Sequence, residues 1–416
     1  MKKEVVDHLF RHQYGKMVSI LIKFFGFSHL ETIEDAIQDT FIKATLSWRN
    51  QLPDNPEAWL TQAAKNRTID LLRQIQAEKS RLDKINNGPS SIQLNELFLE
   101  HEIEDSQLRM VFVACHPHLK AEEQIAFALK TISGFSTKEI AAALLLKEET
   151  VKKRLSRARK SIVEKNIQFN FPEAQQIEDR LNRVLKVIYL TFNEGFHSTN
   201  KKEVVRKDLC GEAIRLCVLL LKKKQFRTGS SYALFALLCF LSARIESKTD
   251  ENNEIVNLRN QDRSKWHPPL IKMGDDALSK SMEYEDVSHY HFEAFIAAEH
   301  LKAKTFEETN WNKILFWYRK LNVLHPSPSS RLNMAMVYIQ LNEFKEAIIL
   351  LNQIKSSDLE QRAYLLYGCY SNYYEKTGKG TKALEYMDMA INCVTNTQEK
   401  KHLEKERTKI LHKFSL

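Results

Sequence analysis

The stretch GFSTKEIAAALLLKEETVKKRLSRARKSI, residues 134–162, alternates apolar and charged residues at helical spacing. Ser136 or Thr137 can cap a first helix, because a short hydroxyl side chain accepts a hydrogen bond from a free amide of the first turn. After a short break, a second helix opens near Glu148, where acidic side chains complement the helix dipole. The pattern predicts a helix-turn-helix, a motif whose second helix can enter the major groove of DNA.

The second helix is predicted to be basic on every side except one. Its apolar residues recur at spacings of 4, 3 and 4 and predict one buried stripe: Val151, Leu155, Ala158 and Ile162. Its cations occupy the other sides: Lys152, Lys153, Arg154, Arg157, Arg159 and Lys160. DNA is therefore the first partner to consider. A solvated basic helix on an unrelated helical protein is the alternative that this segment alone leaves open.

The composition indicates an all-α protein of several domains. The chain has 416 residues, 43% of them hydrophobic, with only 11 Gly and 9 Pro, which allows two or three domains with their own cores. The net charge of +9 favours polyanionic partners but does not locate a binding site. No apolar run reaches the length of about 18 residues that a membrane helix needs. Six cysteines without a CxxC pair and no signal-peptide pattern predict a cytoplasmic protein without a membrane partner.

Breaks in the pattern divide the chain into four segments. A helical unit is predicted over residues 1–78, a linker over 79–105, a unit ending in the helix-turn-helix over 106–166, and a helical extension over 173–416.

The extension contains an internal repeat near residues 295–395. Four residues of one helix pair recur 36 positions later: Ala335, Tyr338, Ala347 and Leu351 correspond to Ser371, Tyr374, Ala383 and Met387. Small residues let paired helices approach each other, and the spacing approximates the tetratricopeptide repeat of about 34 residues. A generic helical bundle with chance periodicity is the alternative.

An acidic helix is predicted over residues 31–48. Its polar surface carries Glu34, Asp35, Gln38 and Asp39. Neither a histidine nor a second acidic cluster stands at ligand spacing, so metal binding or acid–base catalysis is disfavoured. The pattern favours a solvated acidic face or a docking surface for a basic helical partner.

A third polar helix is predicted over residues 55–76. Its apolar anchors include Trp59, and its polar sides carry Asn66, Arg67, Asp70 and Arg73. Amide, guanidinium and aromatic groups together suit the recognition of unstacked bases and phosphates. A surface salt bridge is the simpler interpretation of the same arginine and aspartate.

Two other groups of polar residues attract a functional interpretation. Cys115, His116 and His118 could ligate a metal, although Pro117 and the missing fourth ligand favour a turn. A second group could line a pocket in the extension: Asn193, Glu194, His197, Asp262, Arg263 and Trp266. The favoured interpretation of Asp262 and Arg263 is that they cap and fix a loop, since nothing here forms a nucleophile, base and orienting trio.

The order of the motifs resembles a known family. DAIQDTF (35–41), WLTQAAKNRTIDLLR (59–73) and the helix-turn-helix look like regions 2 and 4 of a bacterial RNA polymerase sigma factor of the extracytoplasmic function type. The extension resembles that of one subgroup through three motifs: YLTFNEGF (189–196), DLCGEAIRL (208–216) and LRNQDRSKW (258–266).

The resemblance implies two small helical sigma domains followed by a tetratricopeptide-like helical domain. It also implies core RNA polymerase and promoter DNA as partners. Polymerase would be bound through Asp35, Gln38, Asp39 and Phe41, and the opened −10 element through Asn66, Arg67, Asp70 and Arg73. Lys152, Lys153, Arg154 and Arg157 would enter the −35 major groove, while Arg159 and Lys160 would hold phosphates.

The function expected from the resemblance is promoter-specific initiation without catalytic chemistry or a cofactor. The extension would bind polymerase or another protein and regulate activity in cis. Two other classes stay open, namely a conventional helix-turn-helix regulator with a helical sensing domain and a tetratricopeptide scaffold. A hydrolase or transferase is the least favoured, because no catalytic constellation is present.

Overall fold

The structure, a computed structural model, describes residues 2–48, 52–80, 100–144, 146–197, 205–251 and 254–415. Within these ranges regular secondary structure is helical, apart from an isolated bridge between Thr249 and Ile255. The predicted all-α class is thereby confirmed. No described helix combines the length and apolar content that crossing a bilayer requires. Contacts divide the chain into two compact units, Met1–Thr191 and Phe192–Leu416.

The first unit begins with a three-helix bundle. Its helices are α1 (Lys2–Phe25), α2 (Leu30–Ser47) and α3 (Pro56–Ser80). Helix α3 begins at Pro56, whose fixed φ suits the first helical position. The amide of Ala58 donates to the Asn55 side chain at 3.0 Å and completes that helix start. The helices predicted over residues 31–48 and 55–76 are confirmed as α2 and α3.

Four helices follow in the same unit. They are α4 (Glu100–Ala114), α5 (Ala121–Thr131), α6 (Thr137–Ala143) and α7 (Glu148–Glu164). Helix α4 begins inside the segment 79–105 that the sequence assigns to a linker, and residues 81–99 of that segment lie outside the described residues. The limits of the linker therefore stay a prediction.

Helix α1 packs against both groups of helices and joins them into one body. At Gly15 the approach is close, because a Cβ atom would lie 1.8 Å from the carbonyl oxygen of Ile132. Gly134 adopts φ +69° and would bring a Cβ atom to 3.1 Å from Tyr14. Both positions need glycine, the first for space and the second for its backbone conformation as well.

Helix α8 (Ile177–Phe196) crosses the division between the two units. Near its start, the buried Arg180 donates to the carbonyl oxygen of Phe112 on α4 at 2.6 Å. The sequence predicts the extension from residue 173, yet the chain up to Thr191 packs with the first unit.

The second unit contains the remaining helices and several short 3-10 turns. The helices are α9 (Lys207–Lys222), α10 (Gly229–Ser242), α11 (Pro268–Ser281), α12 (His289–Lys302), α13 (Trp311–Leu324), α14 (Pro328–Gln340), α15 (Phe344–Asn352), α16 (Ala363–Lys376), α17 (Gly380–Cys393) and α18 (Thr397–Phe414). Consecutive helices from α12 to α18 pack against one another.

The turns between α14 and α15 and between α16 and α17 have the same geometry. Asn342 (φ 60°) and Gly378 (φ 75°) occupy the left-handed region 36 residues apart. After each of them, the next amide donates to the carbonyl oxygen of Tyr338 (2.9 Å) or Tyr374 (2.8 Å). This is the bond that closes a helix with a left-handed cap. The backbone thus repeats with the same spacing as the side-chain pattern.

Candidate nucleic-acid interface

The two helices α6 and α7 form the helix-turn-helix. Ser136 caps α6 through a reciprocal pair of bonds, because its hydroxyl accepts from the amide of Glu139 (3.2 Å) and its own amide donates to the Glu139 carboxylate (2.8 Å). Leu145, in the turn, lies outside the described residues, but the amide of Leu146 donates to the carbonyl oxygen of Ala141 at 2.8 Å. The cap fixes where the first helix of the motif begins.

The apolar stripe of α7 faces the core as the sequence predicts. Its members are almost fully buried: Val151 (0% exposed), Leu155 (4%), Ala158 (0%) and Ile162 (1%). They pack against α5 and α6. Because the stripe fixes the rotation of the helix about its axis, it also determines which cations point outward.

The six cations of α7 differ in what they contact. Lys153 and Arg157 are exposed and form no ion pair within the described ranges. Lys152 is exposed beside Glu149 at 2.8 Å, and this hydrogen bond raises the pKa of Lys152. Lys160 lies 3.6 Å from Glu164, one turn further along the helix. These four side chains are accessible to a phosphate or a base edge.

The two remaining arginines of α7 bind protein carboxylates. Arg154 donates to Glu122 on α5 at 2.7 Å, and its side chain is 18% exposed. Arg159 donates to Glu31 (3.2 Å) and to Glu34, both on α2. In this arrangement Arg154 joins the motif to α5, and Arg159 joins it to the acidic helix α2.

The Arg159 contact belongs to a buried polar cluster. The Glu34 carboxylate, 6% exposed, accepts bonds from Arg159 and from the Tyr14 hydroxyl (3.0 Å). Burial, with Glu34 beside it, raises the pKa of Tyr14 well above its usual value. The Lys130 ammonium lies 5.2 Å from the centre of the Tyr14 ring. Charged and aromatic groups from α1, α2, α5 and α7 thus meet at one point.

A cleft of about 560 Å³ lies between α2 and α3 and is lined by residues of both helices. Three of the residues predicted to contact the −10 element line it: Asn66, Arg67 and Asp70. The Arg67 guanidinium donates to Asp39 at 2.8 Å. Trp59 packs edge-on against Trp48, with ring centres 5.3 Å apart, and also lines the cleft. The cleft therefore presents amide, guanidinium, carboxylate and indole groups to a ligand.

The residues predicted to bind polymerase are distributed over two sides of α2. Asp35, Gln38 and Asp39 are exposed, while Phe41 is 5% exposed and lies in the helical core. Phe41 can act only by holding the helix in place. Arg73, the fourth residue predicted at the −10 element, lies outside the cleft and 3.8 Å from Asp70.

Several residues of the interface were not singled out from the sequence. Glu31 and Glu122 hold the two arginines of α7, and Lys43 and Gln62 line the cleft between α2 and α3. Glu31 stands one turn before Asp35, so its place in the acidic run could be predicted from the sequence. Its contact with Arg159 could not be predicted, because a helical pattern carries no information on contacts between distant segments.

The other groups considered from the sequence have structural contacts. Asp262 caps a 3-10 turn by accepting from the amide of Ser264 (3.0 Å), and Arg263 donates to the carbonyl oxygens of His300 (2.8 Å) and Ala303 (2.5 Å). This confirms that they cap and fix a loop. Around Pro117, the amide of His118 donates to the His116 ring at 3.2 Å, while the neighbouring cysteine is buried.

Three segments of the chain match known protein families. Residues 9–78 match Sigma-70 region 2, residues 109–162 match Sigma-70 region 4, and residues 180–282 match a family of unknown function, DUF6596. An uncharacterised protein of Rhizobium meliloti is 34% identical over 379 residues, which cover 90% of this chain and 88% of that protein. The ECF RNA polymerase sigma factor SigE of Mycolicibacterium smegmatis is 28% identical over 156 residues, which cover 38% of this chain and 59% of SigE.

The helical bundle, the helix-turn-helix and these matches define a transcription initiation factor. The chain belongs to the sigma-70 family, as a sigma factor of the extracytoplasmic function type with a long helical extension at its carboxyl terminus. Its extension includes the DUF6596 segment.

Proposed function

We propose that this sigma factor binds core RNA polymerase and directs initiation at promoters with −10 and −35 elements, with the extension regulating activity in cis. The observation that carries the proposal is the outward basic face of α7. On that face Lys153 and Arg157 lie opposite a buried apolar stripe and form no ion pair within the described residues. Unpaired cations on a braced helix are available to DNA without the loss of a protein contact.

In the −35 complex, Lys152, Lys153 and Arg157 enter the major groove. The two lysines favour backbone and shape recognition, whereas Arg157 can read a base through a bidentate contact with guanine. Arg154 supports the motif through Glu122. Lys160 contacts a phosphate. Arg159 contacts a phosphate as well once its ion pairs with α2 are broken.

At the −10 element, the cleft between α2 and α3 receives an unstacked base. Asn66 and Asp70 offer hydrogen-bonding groups on its wall, and Trp59 offers a ring face or edge. Release of a base from the stack costs a few kcal/mol, which such contacts offset. Asp35 and Gln38, exposed on α2, bind polymerase.

In vitro transcription over a genomic template tests the proposal most directly. Core polymerase with this protein is expected to start at a defined set of sites, and sequencing of the transcript ends identifies their shared upstream elements. Arg157→Ala is expected to weaken initiation that depends on the −35 element by about 1 to 3 kcal/mol if Arg157 reads a base. Lys165→Ala removes an equally exposed charge just beyond α7 and serves as the matched control.

Two outcomes would contradict the proposal. One is transcription from the same sites with and without this protein. The other is tight binding to free duplex DNA without polymerase, which favours the conventional regulator, since a short sigma factor is expected to bind promoters weakly on its own.

Regulation in cis is tested by truncation after His197. This position is chosen because the chain up to Thr191 packs with the first unit. The truncated protein is first checked for a cooperative thermal transition. A change in polymerase affinity or in transcript yield is expected, while unchanged values for a folded truncated protein would exclude regulation by the extension.

A further inference from the structure

The second unit contains a cavity of about 430 Å³ that the sigma factor assignment does not use. Its walls come from the end of α8, from the loop after α10, from the amino-terminal half of α14, and from residues 359–365 and 394–399, where α16 and α18 begin. A volume of this size suits a small molecule, since ligand pockets commonly enclose about 300 to 1,000 Å³.

Three cations converge on the cavity and face one carboxylate. Arg244, Lys248 and Arg362 line it together with Glu399. No described side chain or carbonyl accepts a hydrogen bond from Arg244 or Arg362. The cavity therefore carries an excess of positive charge, and two of its guanidinium groups keep their hydrogen-bonding capacity free.

Two of the three cations, Lys248 and Arg244, contact one aromatic ring. The Lys248 ammonium lies 3.7 Å from the ring centre of Phe196 and donates to the carbonyl oxygen of that residue. The Arg244 guanidinium carbon lies 5.3 Å from the same ring. Cation–π contacts orient both groups, and both residues line the cavity.

The burial of these charges is unfavourable without a counterion. Burial, together with the nearby Arg244, lowers the pKa of Lys248 to about 7, and burial lowers the pKa of Arg244 to about 10. Burial also raises the pKa of Glu399, so the one carboxylate compensates poorly. A bound anion would supply the charge that the protein does not.

Much of the remaining wall is apolar and includes Val256, Leu258, Leu332, Leu359, Leu365 and Val394. Polar side chains, among them His197, Gln261 and Asn333, line it as well. An inorganic ion would leave this surface in contact with water, whereas an organic molecule would cover it. The ligand that fits is an anionic head group on an apolar body.

We propose that this cavity binds a small organic anion, a carboxylate or a phosphate ester, through Arg244, Lys248 and Arg362. Binding of this kind draws the loop after α10, α16 and α18 around one molecule, and it makes the extension a ligand-responsive element. The proposal stands on the second unit alone and does not depend on promoter recognition.

The test is isothermal titration of the full chain with octanoate, octyl phosphate, octanol and inorganic phosphate. At least one of the two organic anions is expected to bind at least tenfold more tightly than octanol and inorganic phosphate, and the tighter one identifies the head group. Arg244→Gln and Arg362→Gln are each expected to weaken that binding at least tenfold. Lys345→Gln, an exposed cation on α15 outside the cavity, is expected to leave it unchanged.

A thermal melt without ligand separates loss of binding from loss of folding. Arg362→Gln is expected to keep or raise the midpoint, because its guanidinium has no hydrogen-bonded partner within the described chain. Failure of both organic anions to bind would overturn the proposal. Equal binding by the wild-type protein and by folded Arg362→Gln would overturn it as well.

Discussion

Arg159 illustrates how one residue can serve two surfaces. It stands on the helix proposed for the −35 element, yet its guanidinium contacts Glu31 and Glu34 on the acidic helix α2. In that position the guanidinium is already bonded to two carboxylates. The proposed DNA contact by Arg159 would therefore compete with its ion pairs to α2.

Arg159→Ala is expected to reduce the free energy of unfolding by about 3 kcal/mol, because it leaves the buried Glu34 carboxylate without its cation. Urea unfolding measures this change. Lys160→Ala is the matched control, since its side chain is 72% exposed, and it should shift the free energy by less than about 0.5 kcal/mol. An equal loss in both variants would show that the Arg159 contact contributes nothing.

The lowered pKa of Lys248 predicts that the stability of the protein depends on pH. Its pKa is lowered to about 7, first by burial and then by Arg244 and Arg362, while Cys210 and Glu399 act in the opposite direction. In the unfolded chain a lysine titrates near pH 10.4. Between about pH 7 and pH 10 the unfolded chain therefore binds more protons, and the Lys248 contribution to stability rises with pH.

The comparison with Lys248→Met isolates this contribution. The free energy of unfolding of the wild-type protein, relative to that of the variant, is expected to increase from pH 7 to pH 9 in urea titrations. A difference that stays constant over this interval would contradict a lowered pKa for Lys248.

At the scale of elements, the repeated turn between paired helices can be tested by a mutation that adds one methyl group. Gly378 has φ +75° and open space where a Cβ atom would stand, so Gly378→Ala adds only backbone strain. The expected loss of stability is about 1 kcal/mol. Gly368 lies inside α16 with equally open space, and Gly368→Ala is expected to stabilise by roughly 0.5 to 1 kcal/mol. Urea unfolding measures both changes in the free energy of unfolding. Changes of opposite sign in the two variants support the left-handed turn, while changes of the same sign argue against it.

The helices themselves were largely predictable. The stripe from Val151 to Ile162 and the cap at Ser136 determined α6 and α7 before any tertiary contact was considered. Both signals are local, because helical periodicity and capping depend on residues within a few turns. The 36-residue repeat was also predictable from its side chains, whereas the matching left-handed turns at Asn342 and Gly378 were not part of that prediction.

The candidate site was predictable only in part. Asn66, Arg67 and Asp70 were expected together and line one cleft. The ion pairs of Arg154 and Arg159 were not foreseen, because they join positions separated by 32 and by more than 120 residues. Of the six residues considered from the sequence as a pocket lining, only His197 lines the cavity around Arg244 and Lys248. The other lining residues were not predicted, because the walls come from five segments that lie far apart in the sequence.

At the scale of the whole molecule, polymerase and promoter should be separable by mutation. Asp35 is exposed on α2 and outside the cleft. Asp35→Ala is expected to lower the affinity for core polymerase roughly tenfold, about 1.4 kcal/mol, whatever the promoter. Fluorescence anisotropy with labelled protein measures this affinity.

The matched control for Asp35 is Glu57→Ala, which removes an exposed carboxylate from the first turn of α3. It is expected to bind polymerase like the wild-type protein. A loss confined to certain promoters in Asp35→Ala would contradict a role in polymerase binding, because the polymerase contact is common to every promoter.

Gly15 gives the first unit an evolutionary constraint of its own. Its α-hydrogen faces the carbonyl oxygen of Ile132, and even a methyl group would overlap that oxygen. A mutation at this codon that replaces glycine would therefore disturb the packing of α1 against Ile132, whichever genes the protein controls. Substitutions among the outward side chains of α7 leave this packing intact, while codon 15 stays closed to every other amino acid as long as the packing is retained.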